Sequence, residues 1–204
     1  MATVTPNYSW PVPTSSDYVK DGATAIEALG DAIDATVFAL PTGLALLNTT
    51  TFTGQSSVII DGVFSSTYRN YKFTFSPSAV SGTDIPIYWV MRSGTPAADV
   101  TTNYEQQTAS ARSTTLSGVL ATIATITTAT TAVGDYSFAQ MDLLNPNVTQ
   151  RTGWLGSNFY APSSGNSYLQ TFGGAQSSTT QFTGIKFYPS SGTFGGTIKV
   201  YGYK

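Results

Sequence analysis

The sequence predicts an all-β protein: an antiparallel, jelly-roll-like β-sandwich preceded by an extended N-terminal arm and one short α-helix. Three observations predict it. Short apolar runs with period-two alternation recur from Leu44 to the C-terminus, separated by Gly, Pro, Asn and Ser turn signals and without alternating helices. The composition of 33 Thr, 23 Ser, 19 Gly, 12 Tyr and 11 Phe in 204 residues suits pleated, half-buried surfaces joined by turns. Charged residues are only 10% of the chain, against about 25% in an ordinary globular protein, so its exterior is polar yet nearly uncharged.

Residues 1–18 are the arm. Thr3-Val4-Thr5-Pro6-Asn7-Tyr8-Ser9-Trp10-Pro11-Val12-Pro13 carries three prolines and two aromatics with no hydrophobic periodicity. Such a segment is expected to gain order by lying on another surface. Tyr8 and Trp10, flanked by Pro11, Val12 and Pro13, are its docking candidates, because pocketed aromatics dominate many interfaces. The alternative is an arm that folds back on its own domain.

Residues 19–40 carry the helix, with Asp17 as its N-cap and acids in the first turns, where they complement the macrodipole. Val19, Ile26, Leu29, Ile33 and Leu40 fall on heptad a and d positions, while Gly22 and Thr36 break the seam. Ile26, Leu29 and Ile33 are the oligomerisation candidates. Packing of one helix face on the chain's own domain stands beside that reading. Pro41-Thr42-Gly43 stops the helix.

Residues 44–204 are the sandwich. Ser57 to Ile60 reads as a strand closed by the tight-turn dipeptide Asp61-Gly62. Tyr71, Phe73 and Phe75 alternate onto one face. Ile85 to Arg92 is nearly continuously apolar, and Pro86 places that strand at an edge or delays its start. Residues 106–134 allow helical spacing through Leu116, Val119, Leu120, Ile123 and Ile126, but their β-branched content favours strands. Further strands are expected over Tyr136–Leu144, Trp154–Tyr160, Tyr168–Phe172, Gly184–Tyr188 and Thr197–Tyr203.

Charge and residue inventory exclude whole classes of function. Asp17, Asp21, Glu27, Asp31 and Asp34 against the single Lys20 leave residues 1–40 acidic and the remainder only slightly basic. Neither part suits a phosphate backbone, so no nucleic-acid partner is expected. The chain has neither cysteine nor histidine, which removes Ser-His-Asp and Cys-His catalysis and the usual zinc sites. Asp135 with Asp142, or Asp61 with Asp84, could supply paired carboxylates or calcium ligands, but no spacing marks them. The expectation is a non-enzyme with no cofactor and no metal. Apolar runs fall far short of the roughly 20 residues of a membrane span, so no membrane insertion is expected.

Trp154, Tyr160 and Tyr168, with Phe159 and Phe172, are the glycan-binding candidates. Sugar faces stack on aromatic rings, and Asn158, Asn166 and Gln170 nearby could bind hydroxyls. The competing reading places the same rings in the sandwich core.

Two stretches resemble a known class of protein. Trp10-Pro11-Val12-Pro13-Thr14-Ser15-Ser16-Asp17, running into Val19-Lys20-Asp21-Gly22-Ala23 and Ile26-Glu27-Ala28-Leu29-Gly30-Asp31-Ala32-Ile33-Asp34, resembles the start of many tailed-bacteriophage virion proteins of minor-tail, tail-fibre or head-surface type. Ser57 to Tyr68 with Asn70-Tyr71-Lys72, Phe187 to Gly192, and Gly196 to Lys204 resemble the β-domain of such proteins. The match covers about half the chain and leaves residues 95–180 unmatched. It implies a symmetric homo-oligomer, most simply a homotrimer, made in the host cytoplasm and carried on the virion exterior. Other virion proteins of capsid or tail would hold the arm, and a host surface glycan is a further expected partner. Only Pro41 to Leu47 could serve as a shaft, which favours a compact decoration protein over a long fibre. A dedicated glycan-binding adhesin is the alternative function.

Overall fold

The computed structural model describes residues 3–14, 18–39, 43–81, 85–112, 115–123, 126–131, 137–160 and 167–204. The chain divides into two compact units, Met1–Gly43 and Leu44–Lys204.

In the first unit the arm is doubled back rather than singly extended. Strands β1 (Thr3–Val4) and β2 (Pro11–Val12) pair antiparallel, with Thr3 opposite Val12 and Val4 opposite Pro11. The turn between them closes through Thr5 N–H donating to the Trp10 carbonyl at 2.9 Å and Ser9 N–H to the Thr5 carbonyl at 3.0 Å. Ser9 takes the left-handed conformation that this reversal needs (φ 56°). A single 3-10 turn, Val19–Asp21, then leads into helix α1 (Gly22–Ala39). The expected cap Asp17 and the last heptad residue Leu40 lie outside the described residues.

The second unit is the expected antiparallel sandwich. Its strands are β3 (Leu44–Gln55), β4 (Val58–Ile60), β5 (Asn70–Val80), β6 (Ile85–Ser93), β7 (Ala98–Asp99) and β8 (Tyr104–Arg112). They continue as β9 (Thr115–Ile123), β10 (Ile126–Thr131), β11 (Ser137–Leu144), β12 (Thr152–Tyr160), β13 (Tyr168–Gln176), β14 (Gly184–Pro189) and β15 (Phe194–Tyr203). The Thr/Ala/Ser tract is therefore β-structure, as its branched residues favour. One sheet runs β3-β15-β5-β11-β12-β13-β8-β9, the other β10-β6-β14-β4 with β7 added to β6. Strand β5 pairs antiparallel with β15 in the first sheet, and their chain neighbours β6 and β14 pair antiparallel in the second. A two-stranded ribbon thus passes from one sheet to the other, the feature that makes the sandwich jelly-roll-like.

Two local expectations change. Strand β6 is internal, between β10 and β14, although it contains Pro86. Pro86 is tolerated because it is only the second residue of the strand, and its carbonyl accepts the Ser190 N–H at 2.8 Å. Asp61-Gly62 turns the chain, with Gly62 at φ 71°, but it does not close a hairpin. Strand β4 pairs with β14, so residues 61–69 instead carry the chain across to the other sheet. Phe64 plugs the core on the way, and the Tyr71 hydroxyl accepts the Ser65 N–H at 2.8 Å and donates to its carbonyl at 3.0 Å.

The core lies between the sheets. Tyr71, Phe73 and Phe75 of β5, Met141 and Leu143 of β11, and Ile198 and Val200 of β15 are buried from the large sheet. Ile87, Trp89 and Met91 of β6 and Ile185 and Phe187 of β14 are buried from the small one. Trp89 and Trp154 meet edge to face at 5.3 Å, with Tyr104 against both.

Candidate functional site

Two places in the chain carry candidate site residues, one in each compact unit. In the N-terminal unit, Trp10 is held from two directions. Its Nε1 donates to Thr36 Oγ1 of α1 at 2.9 Å, and Tyr8 stacks on its ring at 5.2 Å. The Thr36 hydroxyl passes the bond on to the Ala32 carbonyl at 2.8 Å. The arm therefore lies on its own helix. Pro11, Val12 and Pro13 are half-buried and Tyr8 remains exposed.

Helix α1 contains no buried residue. Ala25, Leu29, Ala32, Ile33 and Thr36 are half-buried and share one helical stripe, the side on which Thr36 meets Trp10. Of the oligomerisation candidates, Leu29 and Ile33 belong to that stripe, whereas Ile26 is exposed. Val19, Val37 and Phe38 are also exposed, Val19 at 97% and Phe38 at 88%.

In the sandwich, the parity of β12 separates core from surface. Thr152, Trp154, Asn158 and Tyr160 are buried, whereas Leu155 and Phe159 are exposed. Trp154 is a core residue, 3% exposed, packed on Trp89 and Tyr104. Its ring also covers Gly174 of β13, where a side chain's Cβ would sit 2.6 Å from Cζ2. Phe172 is buried over Gly156 in the same manner. Tyr160 is buried and stacks face to face with half-buried Tyr168, its ladder partner, at 4.7 Å. The core reading accounts for Trp154, Phe172 and Tyr160. Among the five aromatics Phe159 alone is exposed, and Asn166 lies outside the described residues.

The outer face of the large sheet brings Phe159 together with residues that aromatic content did not flag. Register sets Phe138, Phe159 and Leu169 side by side on β11, β12 and β13. The next row is Thr74, Gln140, Ser157 and Thr171, and the next Lys72, Asp142, Leu155 and Gly173. A shallow depression of about 310 Å³ lies among Gln140, Asp142, Leu155, Gly156, Ser157 and Thr171. A second, of about 230 Å³, lies over Gly173, Gly174 and Ala175 beside Glu105 and Gln107. Leu155 leans over Gly173 and forms the ridge between them.

Asp142 is fixed in place there. Tyr203 donates its hydroxyl to Asp142 Oδ1, and Lys72 Nζ lies 3.6 Å from the same oxygen. Burial, and then the Asp142 carboxylate, push the Tyr203 phenol up to about 12. Gln140 Nε2 donates to Ser157 Oγ at 3.4 Å across the β11–β12 pair. Period-two parity was the available signal: Gln140 and Asp142 alternate with buried Met141 and Leu143, as Ser157 and Phe159 do with Asn158 and Tyr160.

Elsewhere, Arg92, Asp61, Asp99 and Lys186 form a structural network. Arg92 donates Nε to Asp61 Oδ1 at 2.8 Å, Nη2 to the Ala97 carbonyl at 2.6 Å, and Nη1 to Asp99 Oδ1. Lys186 Nζ reaches Asp99 Oδ2 at 2.7 Å, so this network clasps β4, β6, β7 and β14. Asp84 and Asp135 lie outside the described residues, and among the described residues no group of three or more acidic side chains could hold a metal ion. Compared with protein-family models, curated proteins and solved structures, the chain finds no match.

Proposed function

We propose that this chain is a structural protein of a bacteriophage virion, a homotrimeric surface decoration or short fibre held to capsid or tail by its N-terminal unit. One observation carries the reading: α1 has no buried residue and exposes Ile26, Val37 and Phe38, as the turn before it exposes Val19. A helix in a folded protein draws most of its stability from tertiary packing, and one short hairpin covers only part of α1. The remaining apolar surface is suited to a partner surface, a role the proposal gives to other chains. The resemblance of residues 10–34 to virion proteins supports copies of this chain and the particle's own proteins as that cover. The arm contributes by staying on α1, where Trp10 and Tyr8 complete a composite surface rather than acting as a free tether.

Truncation tests this directly. Residues 44–204 form a compact unit with a continuous core, so they are expected to fold without residues 1–43. The truncated chain should keep a cooperative thermal transition and β-type circular dichroism, lose its place on purified particles, and sediment as a monomer. Loading of the truncated chain onto particles at the wild-type copy number would refute the proposal.

A further inference from the structure

The geometry points to the outer face of strands β11, β12 and β13 as a binding site for an uncharged oligosaccharide, centred on Asp142, Gln140, Ser157, Thr171 and Phe159. The depression of about 310 Å³ bordered by Gln140, Asp142, Ser157 and Thr171 is shallow and open, on the scale of one or two sugar rings rather than a deep cofactor cleft. Its rim offers the donor and acceptor types that hydroxyl groups need: a side-chain amide, two hydroxyls and a carboxylate. The carboxylate is preorganised, because Tyr203 and Lys72 both engage Oδ1 and leave Oδ2 as an acceptor. Phe159 stands two residues beyond Ser157 on the same face, next to Phe138, and supplies an exposed apolar ring bordering the polar floor. Beyond Leu155, the second depression with Glu105 and Gln107 continues the same chemistry, which suits a chain of sugars rather than one residue.

Other occupants fit less well. An anion would meet Asp142 and Glu105, while Lys72 is already engaged by Asp142 and Lys199 stands two strands away from Gln140, across Thr74. A metal ion lacks a ligand set, since the described residues hold no cluster of three acidic groups. A peptide cannot add as a strand, because β11, β12 and β13 are each paired on both sides. A neutral, hydroxyl-rich ligand satisfies the amide, the hydroxyls and the fixed carboxylate together, and its C–H face can lie on Phe159.

The site belongs to the sandwich and does not depend on the particle reading, so the two are tested apart. The full chain is applied to an array of neutral and anionic oligosaccharides, and the bound neutral sugar is then titrated by calorimetry against the wild type and three variants. Asp142→Asn and Phe159→Ser are each expected to weaken binding roughly tenfold. Trp154→Phe, on the inner face, is expected to lower thermal stability while leaving affinity unchanged. Asp142→Asn should also move the Tyr203 phenol toward its ordinary pKa, a spectrophotometric check of the contact, while β-type circular dichroism shows that the variant is folded. No binding to any neutral oligosaccharide, binding confined to anionic ones, or binding indifferent to both outer-face variants overturns the proposal. A chain that loads on particles yet binds no sugar refutes this inference alone; one that binds sugar but is absent from particles refutes only the virion reading.

Discussion

Gly174→Ala is the sharpest perturbation available in the sandwich. The methyl group would be built 1.9 Å from the Glu105 carbonyl of β8 and 2.6 Å from Trp154 Cζ2. The first obstacle is backbone in a paired strand, with Gln106 opposite Gly174 in the β13–β8 ladder, so no rotamer change relieves it. The second is a ring locked against Trp89 and Tyr104. Overpacking of this kind costs about 1–3 kcal/mol, and displacing Trp154 from its packing puts the estimate at the upper end, about 3 kcal/mol. For a unit of this size each kcal/mol moves Tm by about 2–4 °C, so the expected fall is roughly 6–12 °C.

Gly153→Ala is the matched control. It sits on β12, one residue before Trp154, and its added methyl would meet nothing closer than 3.8 Å. The strand gains a better β-former, so its Tm should hold or rise slightly. Differential scanning calorimetry of the two variants reads the contrast. A fall below about 2 °C for Gly174→Ala, or equal shifts for the two, would refute the claim that Trp154 is seated on a missing side chain.

Two further outcomes follow from the described contacts. Asp99 loses solvation by burial, but Lys186 and Arg92 outweigh that loss and hold its carboxyl below the ordinary range. Its folded pKa is depressed, so its contribution is present at neutral pH and is lost as pH falls through the folded value, below about pH 4. Asp99→Asn should lower stability at pH 7 and flatten the acid limb of the stability profile, and a profile parallel to wild type would count against the clasp. In the N-terminal unit, Trp10→Phe removes the donor to Thr36 and should loosen the arm by about 1 kcal/mol. Hydrogen exchange at the Thr5 amide should quicken while exchange in the sandwich strands stays unchanged, and equal rates in both proteins would place the arm elsewhere than on α1.

The architecture was legible because it rests on local alternation. Tyr71, Phe73 and Phe75 face the core as their spacing requires, and the branched residues of 115–123 and 126–131 form strands despite an ambiguous apolar period. What depended on partners distant in sequence was not legible. Asp61-Gly62 has hairpin chemistry, but β4 finds its partner in β14, more than a hundred residues away, so the dipeptide serves a crossing instead. Pro86 carries an edge signal that its place near the strand start overrides. The Thr3–Val4 and Pro11–Val12 ladder is too short to register as alternation, and proline composition pointed to an extended arm. Of the candidate site only Phe159 and the Asp142 carboxylate were named, for another reason: aromatic content marks both core and sugar platforms, and only strand parity, with the register that aligns β11, β12 and β13, tells them apart.

That parity has a functional consequence. Strand β12 places Trp154 and Asn158 inside and Leu155, Ser157 and Phe159 outside, so the stabilising core and the proposed recognition surface lie on opposite faces of one backbone. The inner face is constrained, since Trp154 and Phe172 occupy space that Gly174 and Gly156 vacate, and a change in either member of a pair is felt by the other. On the outer face Ser157 and Thr171 border an open depression, and exchanges there cost little in folding because surface substitutions away from packed or paired groups are nearly neutral. The outer row can therefore vary its amides, hydroxyls and rings while the core holds the floor flat. Specificity for a new sugar is reachable through Gln140, Ser157, Phe159 and Thr171 without rebuilding the sandwich.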